Sequence, residues 1–180
     1  MDIGTISSRY ANALFSLAKE EKQDSLVYND MKILQQNFLS EPTLKNVLNN
    51  PIISYNEKEK LLITAGGINV SDIYKRFIQM ILKHKRENIL QLITYIYIHR
   101  YRKEKKITRV SFDTAVPVNE KTKDLLKQKL AEETGCSIEF SGQIKPDLIG
   151  GFVLRIGNYR FDASFSSQLK QIKKRLIKSN

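Results

Sequence analysis

"PDLIGGFVLRIGNYRFDASF", Pro146 to Phe165, decides the fold of the second half of this chain. With Gly157 and Asn158 at the centre of a tight turn, the flanking residues pair as Ile156 with Tyr159, Leu154 with Phe161 and Phe152 with Ala163. One face of that hairpin is wholly apolar. The other sets Arg155 against Arg160, a like-charge pair that Asp162 can relieve from the diagonal position beside Arg155. Gly150 and Gly151 stand at the entry to the first strand and read as a bend or close approach that a side chain would block. Beyond the hairpin, Phe165, Leu169, Ile172 and Leu176 fall on one stripe of a final helix, with Lys170, Lys173, Lys174 and Lys178 around it.

Upstream of the hairpin, Val110, Phe112, Thr114 and Val116 alternate with Arg109, Ser111, Asp113 and Ala115, the period of a half-buried strand that Pro117 ends. Asn119 can cap a helix through Leu125, Leu126 and Leu130, which Gly135 terminates. Cys136, Ile138 and Phe140 then alternate with Ser137 and Glu139 as a second strand. Before Lys105 the period is helical throughout. Ile6, Tyr10, Ala13, Leu14 and Leu17 form the first stripe, and Val27, Met31, Leu34 and Phe38 the second. Pro42 and Pro51 bracket a short third helix, and Ser54 with Glu57 makes a capping box for a fourth, which Gly66 and Gly67 close. The fifth stripe is Ile73, Phe77, Met80, Ile81 and His84, and the sixth Ile89, Leu92, Ile93, Ile96 and Tyr97. The fold class is therefore α+β: a six-helix bundle over residues 1–105, then a small mixed α/β domain over 106–180.

The chain has 180 residues, 41% of them hydrophobic, enough for a real core. Thirty Lys and Arg against nineteen Asp and Glu leave a charge of +11, which favours acidic partners such as nucleic acid, anionic lipid or an acidic protein. The excess is spread along the chain, with no basic tail. "RYRKEKK", Arg100 to Lys106, reads as a solvated helix end whose cations face the negative end of the helix dipole. A single cysteine, Cys136, excludes an internal disulfide framework, suits a reducing compartment such as a bacterial cytoplasm, and reads as a buried small apolar residue. The first twenty residues lack a signal-peptide apolar core, and "ILQLITYIYI", Ile89 to Ile98, is too short to span a bilayer, so any membrane association is expected to be indirect.

Catalytic and ligand motifs are not found. No glycine is followed by the Gly-Lys-Ser or Gly-Lys-Thr of a P-loop. His84 and His99 with one cysteine make no zinc constellation, and His84 is expected at the core edge. No carboxylate pair stands at a spacing suited to acid/base work. A basic nucleic-acid-binding protein is the alternative that the charge allows, but the aromatics lie inside the apolar stripes and are poorly placed to stack on bases.

"IEFSGQIKPDLIGGFVLRIGNYRFDASFSSQLKQI" resembles the C-terminal signature of the delta subunit of F-type ATP synthase, the bacterial counterpart of the mitochondrial oligomycin-sensitivity-conferring protein. The matching positions include Gly150, Gly151, Phe152, Leu154, Arg155, Gly157, Asp162 and Ser164. "SRYANALFSLA", Ser8 to Ala18, is similar to the family's opening helix. The resemblance covers essentially the whole chain and departs from the pattern at one place. Ala163 replaces a glycine, and Ser166, Ser167 and Gln168 stand where many relatives carry arginines.

That resemblance implies a non-catalytic stator subunit without cofactor or metal, peripheral on the cytoplasmic face of the bacterial plasma (inner) membrane and serving ATP synthesis and hydrogen ion transport. Its N-terminal bundle would hold the N-terminal helix of an alpha subunit of the catalytic head, in a groove between the first and fifth helices. Those helices carry Tyr10, Ala11, Leu14 and Ala18 on one side and Phe77, Ile78, Ile81 and Leu82 on the other. The same residues fit a plain bundle core, and the sequence leaves both readings open. The C-terminal domain would hold the b-type subunits of the peripheral stalk, with Arg155, Arg160, Lys170, Lys173 and Lys174 offered to an acidic stalk helix.

Overall fold

The structure is a computed structural model that describes residues 2–178, with side chains as far as Ile172. Two compact units divide it, Met1–Lys103 and Glu104–Asn180.

The first unit is built from α1 (Ile3–Glu20), α2 (Asp24–Ser40), α3 (Thr43–Asn49), α4 (Tyr55–Gly66), α5 (Asp72–Lys83) and α6 (Leu90–Glu104). Local chemistry sets their ends. Ser54 and Glu57 form the expected reciprocal capping box of α4, and Gly67 leaves that helix at φ +131°. Ser71 caps α5 by accepting the Tyr74 N–H, and the buried Asp30 carboxylate of α2 accepts both the Ser71 N–H at 3.0 Å and its hydroxyl at 2.6 Å. The start of α5 is thereby tied to the middle of α2. Val27, Met31, Leu34 and Phe38 point inward as their spacing predicts.

On α1 the periodicity predicts the helix correctly and its inward face wrongly at every position but Leu14, and on α5 and α6 it predicts part of a buried face that is broader and rotated. The buried side of α1 is Ser7, Ala11, Leu14, Phe15 and Ala18, so Ile6, Tyr10, Ala13 and Leu17 turn toward solvent. Two contacts with α6 rotate α1 this way: Phe15 packs edge-on against Tyr97 at 6.0 Å, and Arg100 donates to Asn12 at 2.8 Å. On α5 the buried set is Ile73, Tyr74, Phe77, Ile78, Ile81 and Leu82, and on α6 it is Leu90, Ile93, Thr94, Tyr97, Ile98 and Tyr101. Paired neighbours of this kind bury a broad face, as in a helix flanked on two sides. Met80 and Leu92, read as inward, are exposed, and so is His84, whose Nδ1 lies 2.8 Å from the Met80 carbonyl.

The second unit runs β1 (Ile107–Thr114), α7 (Glu120–Thr134), β2 (Ser137–Ser141), β3 (Phe152–Ile156), β4 (Tyr159–Asp162) and α8 (Phe165–Lys178). Its sheet has the order β2-β1-β3-β4. β1 and β2 are parallel, and α7 provides the crossover that a parallel pair needs; the other neighbours are antiparallel. Asn119 caps α7 by accepting the Lys121 N–H, and Gly135 ends it in the left-handed region. The hairpin register is the one the sequence predicts: Ile156 opposite Tyr159, Leu154 opposite Phe161, and the Ala163 N–H donating to the Phe152 carbonyl at 2.9 Å. The double glycine is a close approach. A Cβ on Gly150 would stand 2.6 Å from the Phe165 ring, and one on Gly151, at φ +75°, would fall on the Ala163 carbonyl.

Among the described residues, the buried hydrophobic positions of this unit are Val110, Ile138 and Val153, and no residue of α7 is buried. Cys136, expected to be buried, is only half-buried, because it precedes the first ladder residue of β2.

Candidate functional site

Seven of the eight residues expected to line a groove between α1 and α5 are core. Ala11, Leu14, Ala18, Phe77, Ile78, Ile81 and Leu82 are all buried, and only Tyr10 reaches the surface. The reason is the rotation of α1 already described, which puts its small residues against the bundle.

A different apolar strip lies open at the same place. Glu21, at the end of α1, accepts two hydrogen bonds from Arg76 of α5 at 2.9 and 3.0 Å, and Arg86 lies over the Tyr10 ring at 5.7 Å. The edge of α1 toward α5 is therefore the one that carries Ile3, Ile6, Tyr10, Ala13 and Leu17, all exposed or half-exposed. Met80 is the exposed apolar residue of α5 on that side, and Arg76, Lys83 and Arg86 make its rim basic. The signal was in the sequence as the first helix's apolar stripe, read there as inward.

The second unit presents a larger apolar surface. Because paired residues on neighbouring strands share a face, Phe112, Phe140, Phe152, Leu154 and Phe161 all project from one side of the sheet. Their rings form a row: Phe112 lies 5.8 Å from Phe140 and 5.4 Å from Phe152, and Phe152 lies 5.9 Å from Phe161. α7 covers one end loosely. Beneath its first turns is a cavity of about 480 Å³ with Phe112, Phe140 and Ile144 on one side and Lys123 and Lys127 on the other. Phe161 is 60% exposed, and the stripe of α8, Phe165, Leu169 and Ile172, is more than half exposed at each position. Leu176, the fourth member of that stripe, lies outside the described residues.

The opposite face of the sheet buries Val153 and is otherwise polar and internally paired. Asp113, only 4% exposed at its side chain, accepts from Lys145 at 2.6 Å, Arg155 at 3.3 Å and the Ser111 hydroxyl at 3.2 Å. Burial pushes its carboxyl up, but the bond and charge of Lys145, with Ser111 and Arg155, outweigh that and leave it below the ordinary carboxylate range. Arg155 is thus relieved by Asp113 of the neighbouring strand β1, not by Asp162, because β1 lies on its other flank. Arg160 pairs with Asp162 at 2.7 Å. Neither arginine is a free cation. Lys170 is exposed, and the side chains of Lys173 and Lys174 lie outside the described residues.

Asp162 has a second task at the start of α8. It accepts the Ser164 N–H at 3.1 Å, the Ser164 hydroxyl at 2.6 Å and the Ser167 hydroxyl at 3.0 Å, while the Ser164 oxygen accepts the Ser167 N–H at 3.3 Å. The Ser164 bonds, hydroxyl first, hold the Asp162 carboxyl far below its usual range. Ser167, one of the residues replacing the family's arginines, is used inside this cap.

A family model described as "ATP synthase delta (OSCP) subunit" matches residues 6–176. The chain belongs to the ATP synthase delta (OSCP) subunit family. It is 62% identical to the ATP synthase subunit delta of Parabacteroides distasonis, over 99% of both chains, and 39% identical to that of Phocaeicola vulgatus, over 100% of this chain and 98% of the relative. In fold it is similar to a chain of the Toxoplasma gondii mitochondrial ATP synthase hexamer, with a TM-score of 0.64 at 18% identity, covering 95% of this chain and 97% of that one. As a delta-family protein it is a non-catalytic, stator-type subunit of an F-type ATP synthase, and nothing supports the nucleic-acid alternative. No helix among the described residues is long and apolar enough to cross a membrane.

Proposed function

We propose that this subunit fastens the catalytic head of the synthase to its peripheral stalk and carries the reaction to rotor torque between them. Residues 1–105 hold the N-terminal helix of an alpha subunit. Residues 106–180 hold b-type stalk helices, on the cytoplasmic face of a bacterial plasma membrane that the chain touches only through the assembly. The observation that supports this reading best is that each unit leaves apolar residues open to solvent: the α1 edge with Met80 in the first, and Phe161 with the α8 stripe in the second. An amphipathic helix laid on such a surface is a common recognition mode.

Four anchors such as Ile6, Tyr10, Leu17 and Met80, at roughly 2 kcal/mol each, give about 8 kcal/mol, against an association cost of about 4 to 15 kcal/mol. One surface alone binds weakly. Two surfaces on one chain raise the effective concentration of the second contact and make a joint that persists under load.

Binding of the full chain to a synthetic alpha N-terminal peptide and to solubilised stalk subunits tests the division. Leu17→Glu is expected to abolish peptide binding and spare the stalk, and Leu169→Glu to do the reverse. Loss of both partners in either folded variant would remove the two-surface reading. Reversing Lys170, Lys173 and Lys174 together is expected to weaken the stalk alone.

A further inference from the structure

The end of α5 fixes one cation at the open edge of the first unit. Lys85 turns into the left-handed region at φ +53°, the Arg86 N–H donates to the Ile81 carbonyl at 3.0 Å, and the Lys85 N–H donates to that of Leu82 at 3.0 Å. These two bonds make a Schellman ending and hold the Arg86 backbone in one place. From there the guanidinium lies over the Tyr10 ring of α1, 5.7 Å from its centroid.

Other arginines of this chain give their donors to side chains nearby: Arg76 to Glu21, Arg100 to Asn12 and Arg155 to Asp113. Arg86 makes no side-chain hydrogen bond or ion pair to any described residue. The Tyr10 ring attracts its charge and leaves its planar fork of N–H donors unused. The carboxylate beside it in sequence is engaged elsewhere, since Glu87 accepts from Lys58 at 2.7 Å and its side chain is 15% exposed. Arg86 is itself half-buried, at the margin of the strip that carries Ile6, Tyr10 and Leu17.

We propose that Arg86 is the residue of this edge that selects its occupant, receiving one Asp or Glu carboxylate of the docked alpha helix on its fork. The occupant is an amphipathic helix whose apolar side covers the α1 strip and whose acidic residue stands at the border of that side. This rests on the alpha-helix reading above and adds the group that recognises the helix. An exposed ion pair is worth little because two long side chains must be ordered and water screens them. Here the Schellman ending and the Tyr10 contact order the arginine beforehand, and a helix laid on the strip removes water from the pair.

Titration calorimetry of the full chain with a synthetic alpha N-terminal peptide tests this, each Asp and Glu of the peptide being changed singly to its amide. Arg86→Met is expected to weaken binding about tenfold, one amide peptide to weaken it equally, and the two changes together no more than either alone. Arg86→Lys keeps the charge and loses the fork, so it should stay at least about threefold weaker than the unaltered chain. If the unaltered chain ignores the peptide, the alpha-helix reading fails and this proposal with it. If it binds and Leu17→Glu abolishes binding, the proposal alone is overturned by an Arg86→Met chain that binds normally, by amide peptides that all act independently of residue 86, or by a lysine that serves as well as arginine. Should Arg86→Met lose its far-UV circular dichroism, the amide peptides measured on the unaltered chain and on Arg86→Lys decide.

Discussion

Asp162 joins the edge of the sheet to the first turn of α8 through one carboxylate, with bonds to Arg160, Ser164 and Ser167. Asp162→Ala is expected to cost the second unit about 1 to 2 kcal/mol, the range of a lost helix cap, and to speed amide exchange over Phe165–Gln168 first. Its folded carboxyl, like that of Asp113, lies below the usual range. Each therefore adds stability that is present above the unfolded value of about 4 and is lost as pH falls through the lower folded value. Acid titration followed by exchange should show second-unit protection falling below about pH 4, and Asp162→Asn should flatten that fall. Gly151 sets a separate constraint. Gly151→Ala meets both a positive φ and the Ala163 carbonyl, and is expected to destabilise by about 1 to 3 kcal/mol in urea. The glycines and the hairpin register were legible because both are local, fixed within about twenty residues. The partner of Arg155 was not, since Asp113 comes beside it only through the strand order.

At the scale of elements, α1 separates what a period can reveal from what it cannot. Apolar residues three and four apart make a helix whichever side faces in, so the existence of α1 was legible and its rotation was not. The deciding contacts, Phe15 with Tyr97 and Asn12 with Arg100, come from a helix some eighty residues away. The residues that the resemblance implies for a groove between α1 and α5 are, all but Tyr10, ones that hold the bundle together. This makes a paired prediction. Ala18→Leu overfills a fully buried position and should cost about 1 to 3 kcal/mol in a denaturant midpoint. Ala13→Leu, on the exposed edge, should change stability by no more than about 0.5 kcal/mol and leave alpha-peptide binding intact or tighter. If the two substitutions behaved alike in urea, the rotation of α1 would be wrong.

For the whole molecule, the contrast is between a first unit with a continuous core and a second with few buried hydrophobic residues among those described and a half-buried aromatic row that is exposed only at Phe161. Composition could not show this, because phenylalanines on a strand count as core until the strand's neighbours are known. The +11 charge was legible, but its meaning changes once Arg155 and Arg160 prove to be paired within the chain. Cations left on the surface act at a distance and steer an acidic partner toward the subunit, whereas the apolar contacts, once made, are indifferent to salt. The two contributions separate in kinetics. Raising ionic strength from about 0.05 to 0.5 M shrinks the Debye length several-fold, so the association rate with stalk subunits should fall by about tenfold or more. If the stalk docks as proposed, the dissociation rate should change by less than about threefold, because it would report the loss of contacts to Phe161, Leu169 and their neighbours. Surface plasmon resonance at several salt concentrations measures both rates. A dissociation rate that rose as steeply as the association rate fell would mean that the lysines of α8, not its apolar stripe, hold the stalk.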